Sequence, residues 1–334
     1  MEAILLVGGL GTRLRPLTDN VPKPMLPVAG VPLVVHQIAR ARAAGVDHVV
    51  LATSYRAAEF SDALGNGSAL GVHIDYAEED EPLGTGGAIR HAAAHFESTG
   101  DEPILVFNGD IIDGHDIAGQ VAAHRAADAD VTLYLTRVDD ARAYGCVPTD
   151  EAGRVVAFLE KMPEPISDQI NAGCYVFRRS VIDSIPPGRP VSVERETFPG
   201  LLAAGRMVLG FVDDAYWRDL GTPQAYVRGS AAVVLGHVDA PARPGPAGHA
   251  IVSGDARVAH DAVLSGGSAI SPGCIVGAGA TVDGSVLMAG AVVDEGAVVR
   301  ASAIGRGARV AAGLVLEGAV VADGAVVEAA DVRS

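Results

Sequence analysis

A six-residue period runs through the C-terminal part of this 334-residue chain. One aliphatic residue recurs every six positions, glycine and alanine surround it, and the phase slips by only one residue at a time. The marking positions are Val252, Val258, Leu264, Ile270, Val276, Val282 and Met288, then Val293 and Val299, then Ile304, Val310 and Leu316, and finally Val321 and Val327. Such a period fits neither a helix nor a flat strand, but each unit can form one side of a triangular coil. The repeats therefore predict a parallel β-helix over residues 251–334.

The distribution of aromatic residues agrees with this interpretation. No Phe, Tyr or Trp follows Tyr226, and large rings would not fit the narrow core of such a coil. A low-complexity Ala/Gly/Val tail is the alternative, but loose composition would not hold a phase with single-residue slips.

The preceding residues show a different pattern, in which short apolar runs alternate with helix-period segments. This pattern predicts an α/β domain over residues 1–235, with a Rossmann-like, mostly parallel sheet. Short strands between Gly145 and Phe177 predict a hairpin-rich insertion that caps the sheet. Residues 236–250 are rich in Pro, Gly and Ala, and we interpret them as a linker.

Charge and cysteine content exclude several classes of function. The chain has 41 acidic and 25 basic side chains and a formal charge of −16, so we expect no nucleic-acid partner. Cys146, Cys174 and Cys274 lie far apart and form no CxxC pair, which predicts neither a disulfide framework nor a zinc site. No apolar stretch resembles a signal segment or approaches the roughly 18 residues that span a bilayer. We therefore expect a cytoplasmic protein without a membrane partner.

A glycine-rich loop, GGLGTRLRPLTDNVPKPM, follows the first predicted strand at residues 8–25. It is neither a Walker A loop nor a GxGxxG dinucleotide turn. Its glycines let backbone N–H groups approach a phosphate chain, while Arg13, Arg15 and Lys23 supply positive charge. Lys23 and Lys161 are the two lysines of the whole chain. The loop predicts a site for a nucleoside triphosphate.

The segments GGLGTRLRPLT and PKPM resemble the signature of the sugar-1-phosphate nucleotidylyltransferases, and the resemblance covers nearly the full chain. In such enzymes an oxygen of a sugar 1-phosphate attacks the α-phosphorus of a nucleoside triphosphate and pyrophosphate leaves. Within this family the sequence most resembles enzymes that convert GTP and α-D-mannose 1-phosphate to GDP-mannose. The resemblance also implies Mg²⁺ as the cofactor and a left-handed β-helix as the C-terminal domain.

The resemblance implies roles for residues that match the family's motifs. The implied catalytic residues are Arg13, Lys23, Asp110 and Lys161; the nucleotide contacts are these first three with Leu6, Gly8, Gly9, Gly11, Thr12, Glu79, Gly84 and Thr85; the sugar-phosphate contacts are Gly145, Glu160, Lys161, Asn171 and Gly173; and the metal ligands are Asp110 and Asp219.

Base selection is expected at Glu79, five residues before Gly84. Relatives that use thymidine or uridine triphosphates commonly carry Gln at this spacing. A carboxylate can accept hydrogen bonds from both N1–H and the exocyclic amine of guanine. Alternatively, Glu79 is an acidic residue in a loop that runs into a helix N-terminus, where acids are favoured.

Other functions stay open at this point. They are guanylyl transfer to another sugar or cyclitol 1-phosphate, a glucose-1-phosphate nucleotidylyltransferase using dTTP or UTP, and a non-catalytic regulatory subunit. An additional acyltransferase activity of the β-helix is disfavoured because the repeats offer only His260 as a base. We expect the β-helix to be structural and to support a homo-oligomer.

Overall fold

The structure, a computed structural model, describes residues 1–54, 56–96 and 101–328. It divides into two compact units. Unit 1 comprises Met1–Gly9 and Arg40–Trp217, and unit 2 comprises Leu10–Ala39 and Arg218–Ser334. Residues 329–334 of the predicted β-helix lie outside the described residues.

The strands before residue 235 are β1 Glu2–Leu6, β2 Pro27–Val28, β3 Val31–Pro32, β4 His48–Thr53, β5 His73–Glu78, β6 Pro103–Asn108, β7 Ile111–Asp113, β8 Val131–Arg137, β9 Gly145–Cys146, β10 Leu159–Glu160, β11 Gln169–Arg178, β12 Val208–Val212 and β13 Trp217–Asp219. The α-helices are α1 Leu33–Ala43, α2 Ala57–Leu64, α3 Gly84–Ala92, α4 Ile117–Ala126, α5 Arg179–Ser184, α6 Phe198–Ala203 and α7 Pro223–Leu235. A π-helix covers Val193–Thr197.

The later strands are β14 Ala250–Val252, β15 Arg257–Val258, β16 Val263–Ser265, β17 Ser268–Ile270, β18 Ile275–Val276, β19 Thr281–Asp283, β20 Val286–Leu287, β21 Val292–Val293, β22 Val298–Arg300, β23 Ala303–Ile304, β24 Arg309–Val310, β25 Val315–Glu317, β26 Val320–Val321 and β27 Val326–Val327. No helix in the described part of the chain has the length and apolar character needed to cross a bilayer.

Unit 1 is built on a nine-stranded sheet. Strands β6, β1, β4 and β5 lie side by side in that order and run parallel, and β8 and β12 form another parallel pair. Ala3, Ile4 and Leu5 of β1 are fully buried, as expected for a parallel strand covered on both faces. The expected Rossmann-like α/β sheet is confirmed.

Strand β11 differs from the sequence-based expectation. The segment that contains it was expected to cap the sheet, but β11 lies within the sheet, antiparallel to both β6 and β8. Its Tyr175 and Phe177 are fully buried and pack on Phe198, with ring centroids 5.3 and 6.0 Å apart. A short apolar run has the same pattern in a central strand as in a capping hairpin, so the pattern alone did not distinguish them.

In unit 2, β14–β27 form three parallel sheets, consistent with a left-handed β-helix. Cross-strand pairing places the aliphatic residues that mark the period in three columns, in which Val252 of the first coil is 42% exposed. These are Val258, Val276, Val293, Val310 and Val327; Leu264, Val282, Val299 and Leu316; and Val252, Ile270, Leu287, Ile304 and Val321. All predicted positions except Met288 fall in one of these columns. Met288 does not, because its neighbour Leu287 is the residue that pairs with both Ile270 and Ile304.

The period first shifts by one residue before Leu287 and not after Met288 as predicted, and the backbone conformation explains the difference. The first coil has two left-handed glycines at one corner, Gly266 and Gly267, with φ of 64° and 83°. The equivalent corners of later coils have one left-handed residue each: Gly284, Ala301 and Gly318, with φ between 46° and 61°. The later coils are thus one residue shorter, and the first slip falls between Val282 and Leu287.

A ladder of buried serines runs along the same edge of the coils. Ser285 N donates to Ser268 Oγ (3.2 Å), Ser302 N donates to Ser285 Oγ (3.0 Å), and Ala319 N donates to Ser302 Oγ (2.9 Å). Each of these hydroxyls also donates to a backbone carbonyl, as Ser285 Oγ does to Asp283 O (2.8 Å). The serine ladder therefore satisfies backbone groups that the tight corner leaves without a strand partner.

Helix α7 connects the parts of unit 2. Thr222 caps its N-terminus, accepting a hydrogen bond from Ala225 N. Tyr226 Oη donates to Pro27 O (2.6 Å), and Ser230 Oγ accepts from Ala29 N (2.9 Å). The helix thereby holds the β2–β3 segment within unit 2. Residues 237–249 contain neither helix nor strand, and the predicted domain boundary there stays a prediction.

Candidate functional site

The glycine-rich loop begins at the carboxyl end of β1. In unit 1, Gly8 packs against Ser54, whose hydroxyl donates to Gly8 O (2.8 Å), and a Cβ at Gly8 would lie 2.5 Å from Ser54 Oγ. Gly9 has open space where a side chain would be. Leu6, the last residue of β1, is half-buried and pairs with Asn108 of β6. This edge of the sheet is where ligands of open α/β folds bind.

The rest of the loop belongs to unit 2. Gly11 adopts φ of 60°, and a Cβ there would lie 3.0 Å from Lys23 Cβ. Thr18 Oγ1 donates to Gly11 O (2.9 Å) and closes the loop. Thr12 and Arg13 are the exposed residues of a 3₁₀ turn, Thr12–Leu14, that follows Gly11 directly. The glycine is needed here for both its left-handed conformation and its lack of a side chain.

Two cations of unit 2 flank one carboxylate. Lys23 is only 7% exposed, and its Nζ lies 3.6 Å from Asp219 Oδ1. The Arg13 guanidinium and the Asp219 carboxylate both lie close to Gly221. A Cβ at this glycine would be 2.7 Å from Arg13 Nη2 and 2.9 Å from Asp219 Oδ1. The structure thus brings together three predicted residues, Arg13, Lys23 and Asp219, and the two cationic side chains are of the kind that bind phosphate. Gly221 was not found from the sequence.

Asp110 lies in unit 1, two residues after β6 ends at Asn108. The intervening Gly109 donates to Leu6 O (2.9 Å), and a Cβ at this glycine would lie 2.5 Å from the same oxygen. This close approach fixes the turn that carries the half-buried Asp110. Carboxylate oxygens such as those of Asp110 and Asp219 are donors that Mg²⁺ prefers, so these residues fit such an ion. Because the two residues belong to different units, their shared coordination of one ion stays a prediction.

The predicted sugar-phosphate residues form two local groups in unit 1. In the first, Glu160 of β10 pairs with Gly145 of β9, and a Cβ at Gly145 would lie 2.9 Å from Glu160 Oε2. Lys161 has φ of 52°, is 63% exposed, and places its Nζ 3.7 Å from Glu160 Oε1. Lys161 N also donates to Tyr144 O (3.0 Å). The structure therefore holds the backbone at Lys161 while leaving the ammonium accessible.

The second group surrounds an irregularity in β11 between Asn171 and Tyr175. Asn171 Oδ1 accepts from Gly173 N (3.2 Å), and its Nδ2 donates to Tyr175 Oη (2.8 Å). Gly173 has φ of 80°, and a Cβ there would lie 2.8 Å from Asn108 Nδ2. Burial raises the pKa of Tyr175 far above its ordinary value. The phenol therefore stays neutral, and the Asn171 amide stabilises the bulge.

Trp217 contacts residues next to both of these groups and was not predicted from the sequence. Its Nε1 donates to Ala172 O (2.9 Å), and its ring meets Tyr144 edge-on with centroids 5.4 Å apart. The signal was present, because the single tryptophan of the chain lies two residues before Asp219.

Residues of the predicted base-selecting segment make hydrogen bonds and close contacts within the protein. Glu79 Oε2 accepts a hydrogen bond from Leu83 N (3.0 Å) and so organises the turn before α3. Gly84 has φ of 68°, and a Cβ there would lie 2.7 Å from Val191 O. Thr85 Oγ1 donates to Glu194 Oε2 and accepts from Val193 N, both at 2.9 Å. The roles of Glu79 and Thr85 toward a nucleotide stay predictions.

Comparison with known proteins gives concordant matches. The family model described as Nucleotidyl transferase matches residues 2–234, and that described as GMPPB C-terminal domain matches residues 247–332. A mannose-1-phosphate guanylyltransferase of Mycobacterium tuberculosis is 55% identical over 260 residues, covering 78% of this chain and 72% of that protein. A probable mannose-1-phosphate guanylyltransferase 2 of Arabidopsis thaliana is 38% identical over 236 residues, covering 69% of this chain and 64% of that protein.

A solved structure agrees with these matches. HddC from Yersinia pseudotuberculosis in complex with GMP-PN is 28% identical, with a TM-score of 0.58, over 70% of this chain and 99% of that chain. Enzymes of this kind generally use a divalent metal ion. Since the first family model spans most of the sequence, this chain belongs to the nucleotidyl transferase family and is a nucleotidyltransferase enzyme.

Proposed function

We propose that this enzyme transfers GMP from GTP to α-D-mannose 1-phosphate, giving GDP-mannose and pyrophosphate. The observation that carries the proposal is the 55% identity to a relative named for this activity, over 78% of this chain. The Arg13–Lys23–Asp219 cluster supports it, since the reaction must bring two anionic substrates together and neutralise them.

In the proposed reaction, a phosphate oxygen of mannose 1-phosphate attacks the α-phosphorus of GTP, and the bond from that phosphorus to the bridging oxygen of pyrophosphate breaks. Arg13 and Lys23 bind the triphosphate and stabilise the charge of the departing pyrophosphate. Lys161 binds the sugar phosphate, and Glu160 accepts hydrogen bonds from sugar hydroxyls. Bound Mg²⁺, held by Asp110 and Asp219, would supply charge neutralisation at the phosphates.

Pyrophosphate release tests the proposal directly. The purified full chain is incubated with MgCl₂ and each pairing of GTP, dTTP or UTP with mannose 1-phosphate or glucose 1-phosphate. We expect the fastest release with GTP and mannose 1-phosphate. Release with dTTP or UTP and glucose 1-phosphate, but not with GTP, would overturn the assignment.

Base selection is tested by Glu79→Gln. A glutamine retains an oxygen that can accept the hydrogen bond from Leu83 N, so the turn before α3 is preserved. One new amide N–H then faces the donors of guanine. We expect the ratio of GTP to dTTP turnover to fall about tenfold, since a good bidentate base contact discriminates by about 1–3 kcal/mol. An unchanged ratio would restrict Glu79 to shaping the turn.

We also propose that the β-helix supports a homo-oligomer. Its outward positions include exposed aliphatic residues, among them Val263, Val315 and Val326, which are each more than half exposed. Light scattering of the full chain tests this. A particle mass of 34.0 kDa at micromolar concentration would contradict self-association.

A further inference from the structure

A row of three ionisable residues crosses the amino ends of three parallel strands in unit 1. Glu2 of β1 pairs with His48 of β4, and His48 pairs with His73 of β5. Asp75 lies two residues beyond His73 and therefore on the same face of β5. Regular sheet pairing thus holds two imidazoles and two carboxylates in fixed register.

The side chains of this group converge. His48 Nε2 lies 2.9 Å from Asp75 Oδ2, and His73 Nε2 lies 3.4 Å from Asp75 Oδ1. One ligand atom from each of the three residues lies within 4.8 Å of the others. Ligand atoms about 2.1 Å from a tetrahedral Zn²⁺ are about 3.4 Å from one another. The three donors therefore need little movement to surround one ion.

Neighbouring groups support a metal at this position. Glu2 Oε1 lies 3.9 Å from His48 Nδ1, the ring nitrogen that faces away from Asp75. A carboxylate beside the second ring nitrogen orients a metal-ligating histidine and raises its basicity. Phe96 packs edge-on against the His48 ring, with centroids 5.3 Å apart, and restricts its rotation. The His48 ring therefore has a carboxylate oxygen within 4 Å of each of its two nitrogens.

We propose that His48, His73 and Asp75 form a binding site for a zinc-class divalent ion, with solvent completing the coordination. Two imidazoles and a carboxylate favour such an ion over Mg²⁺, which prefers oxygen donors. Because β5 is at the edge of the nine-stranded sheet, the ion would clamp this strand to β4.

The site is separate from the proposed catalytic residues by topology. His48 and His73 begin their strands, whereas Leu6 and Asn108 end theirs, and all four strands run parallel. The metal site therefore lies at the amino ends of the parallel strands, whereas the turn that carries Asp110 lies at their carboxyl ends. The expected role is structural stabilisation of the sheet edge, independent of nucleotidyl transfer.

Calorimetric titration of the untagged, chelator-treated full chain with ZnCl₂, in excess MgCl₂, tests the proposal. The magnesium occupies oxygen-donor sites, so we expect one saturable zinc site and a rise in melting temperature. His73→Ala and Asp75→Asn should each weaken zinc binding more than about tenfold, and Glu2→Gln should weaken it less. His73 is 58% exposed, which makes its replacement compatible with folding.

His260→Ala is the matched control, because this 97% exposed histidine lies in the β-helix. It should leave zinc affinity unchanged. Zinc affinity that is equal in wild type, His73→Ala and Asp75→Asn would overturn the proposal, as would the lack of saturable binding in the wild type. Circular dichroism of each variant confirms that lost binding does not reflect unfolding.

Discussion

The side-chain amide of Asn20 donates a hydrogen bond to Asp323 Oδ2 across 3.2 Å, although the two residues are 303 positions apart. Asp323 Oδ1 also accepts from Arg306 N (2.8 Å), so the carboxylate is fixed within the β-helix. Asn20 lies three residues before Lys23. One end of the β-helix therefore anchors the glycine-rich loop within unit 2.

Breaking this anchor should loosen the loop without unfolding the protein. We expect Asn20→Ala to raise the KM for GTP about two- to fivefold with little change in kcat, since an exposed hydrogen bond is worth about 1 kcal/mol or less. Asp294→Ala removes another β-helix carboxylate, paired with Arg309, and should leave the KM unchanged. Steady-state kinetics at varied GTP concentrations measure both. Equal KM values for Asn20→Ala and wild type would show that the anchor does not position the loop.

Lys23→Arg should fold normally yet lose most of the activity. The Lys23 side chain is nearly buried, and a planar guanidinium does not reproduce the compact ammonium that lies beside Asp219. We expect kcat to fall about 100-fold, the scale of losing one charge-stabilising group. Lys161→Arg should also lose most activity, but chiefly through a higher KM for the sugar phosphate, because its side chain is exposed. Near-wild-type turnover by both variants would remove the lysines from the proposed mechanism.

Asp113 should make the stability of unit 1 sensitive to acid. Burial by itself would raise the pKa of Asp113, but Arg40 Nη1 at 2.5 Å and His115 Nδ1 at 2.6 Å outweigh burial and lower the pKa to about 2. A lowered carboxyl pKa stabilises the fold fully above the unfolded-state value of 3.8, and this stabilisation is lost as the pH falls toward 2. Asp113→Asn should cost about 3–5 kcal/mol at neutral pH, because it leaves Arg40 buried without its carboxylate.

Urea unfolding followed by the fluorescence of Trp217, the single tryptophan, measures this difference. The gap between wild type and Asp113→Asn should narrow between about pH 4 and pH 2. Asp140→Asn is the control. Arg142 lowers the pKa of Asp140 to about 2 as well, but that pair is fully exposed, so its loss should leave stability unchanged. A gap that is constant with pH would contradict the role assigned to Asp113.

Ser285→Ala should destabilise the β-helix. The hydroxyl accepts from Ser302 N, and its removal leaves that buried N–H without this acceptor. We expect a loss of about 1–3 kcal/mol, the cost of a buried unsatisfied donor. Ser253→Ala, which removes an exposed hydrogen bond to Asp255, should have a negligible effect. Thermal unfolding by circular dichroism compares the two, and equal melting temperatures for both variants would contradict the stabilising role of the ladder.

Local pattern was sufficient for much of the fold. The aliphatic columns of the β-helix follow directly from their period, because each column repeats at every coil. Met288 was placed wrongly because the position of the shortened corner depends on the backbone conformation at Gly284, which a period of aliphatic residues does not encode. The serine ladder was missed for a related reason, since Ser268 and Ser285 act across coils rather than along the chain.

The candidate site was predictable only where its residues lie in short motifs. Arg13, Lys23 and Asp219 come from such motifs, and the structure brings them together in unit 2. The hydrogen bonds of Thr85 could not be foreseen, because its partner Glu194 is 109 residues away. The position of Trp217 could not be predicted either, because it depends on a hydrogen bond to Ala172 on a different strand.

The 17-residue spacing of the later coils also makes the β-helix a ruler. Val276, Val293 and Val310 occupy equivalent positions, so the domain can gain or lose one whole coil without disturbing its internal register. Each coil adds about 4.8 Å along the axis. The number of coils therefore determines whether a carboxylate such as that of Asp323 lies within hydrogen-bond distance of Asn20 or is displaced from it by one coil. Length changes in this domain should be accepted in units of one coil, and each should move the point at which the nucleotide loop is held.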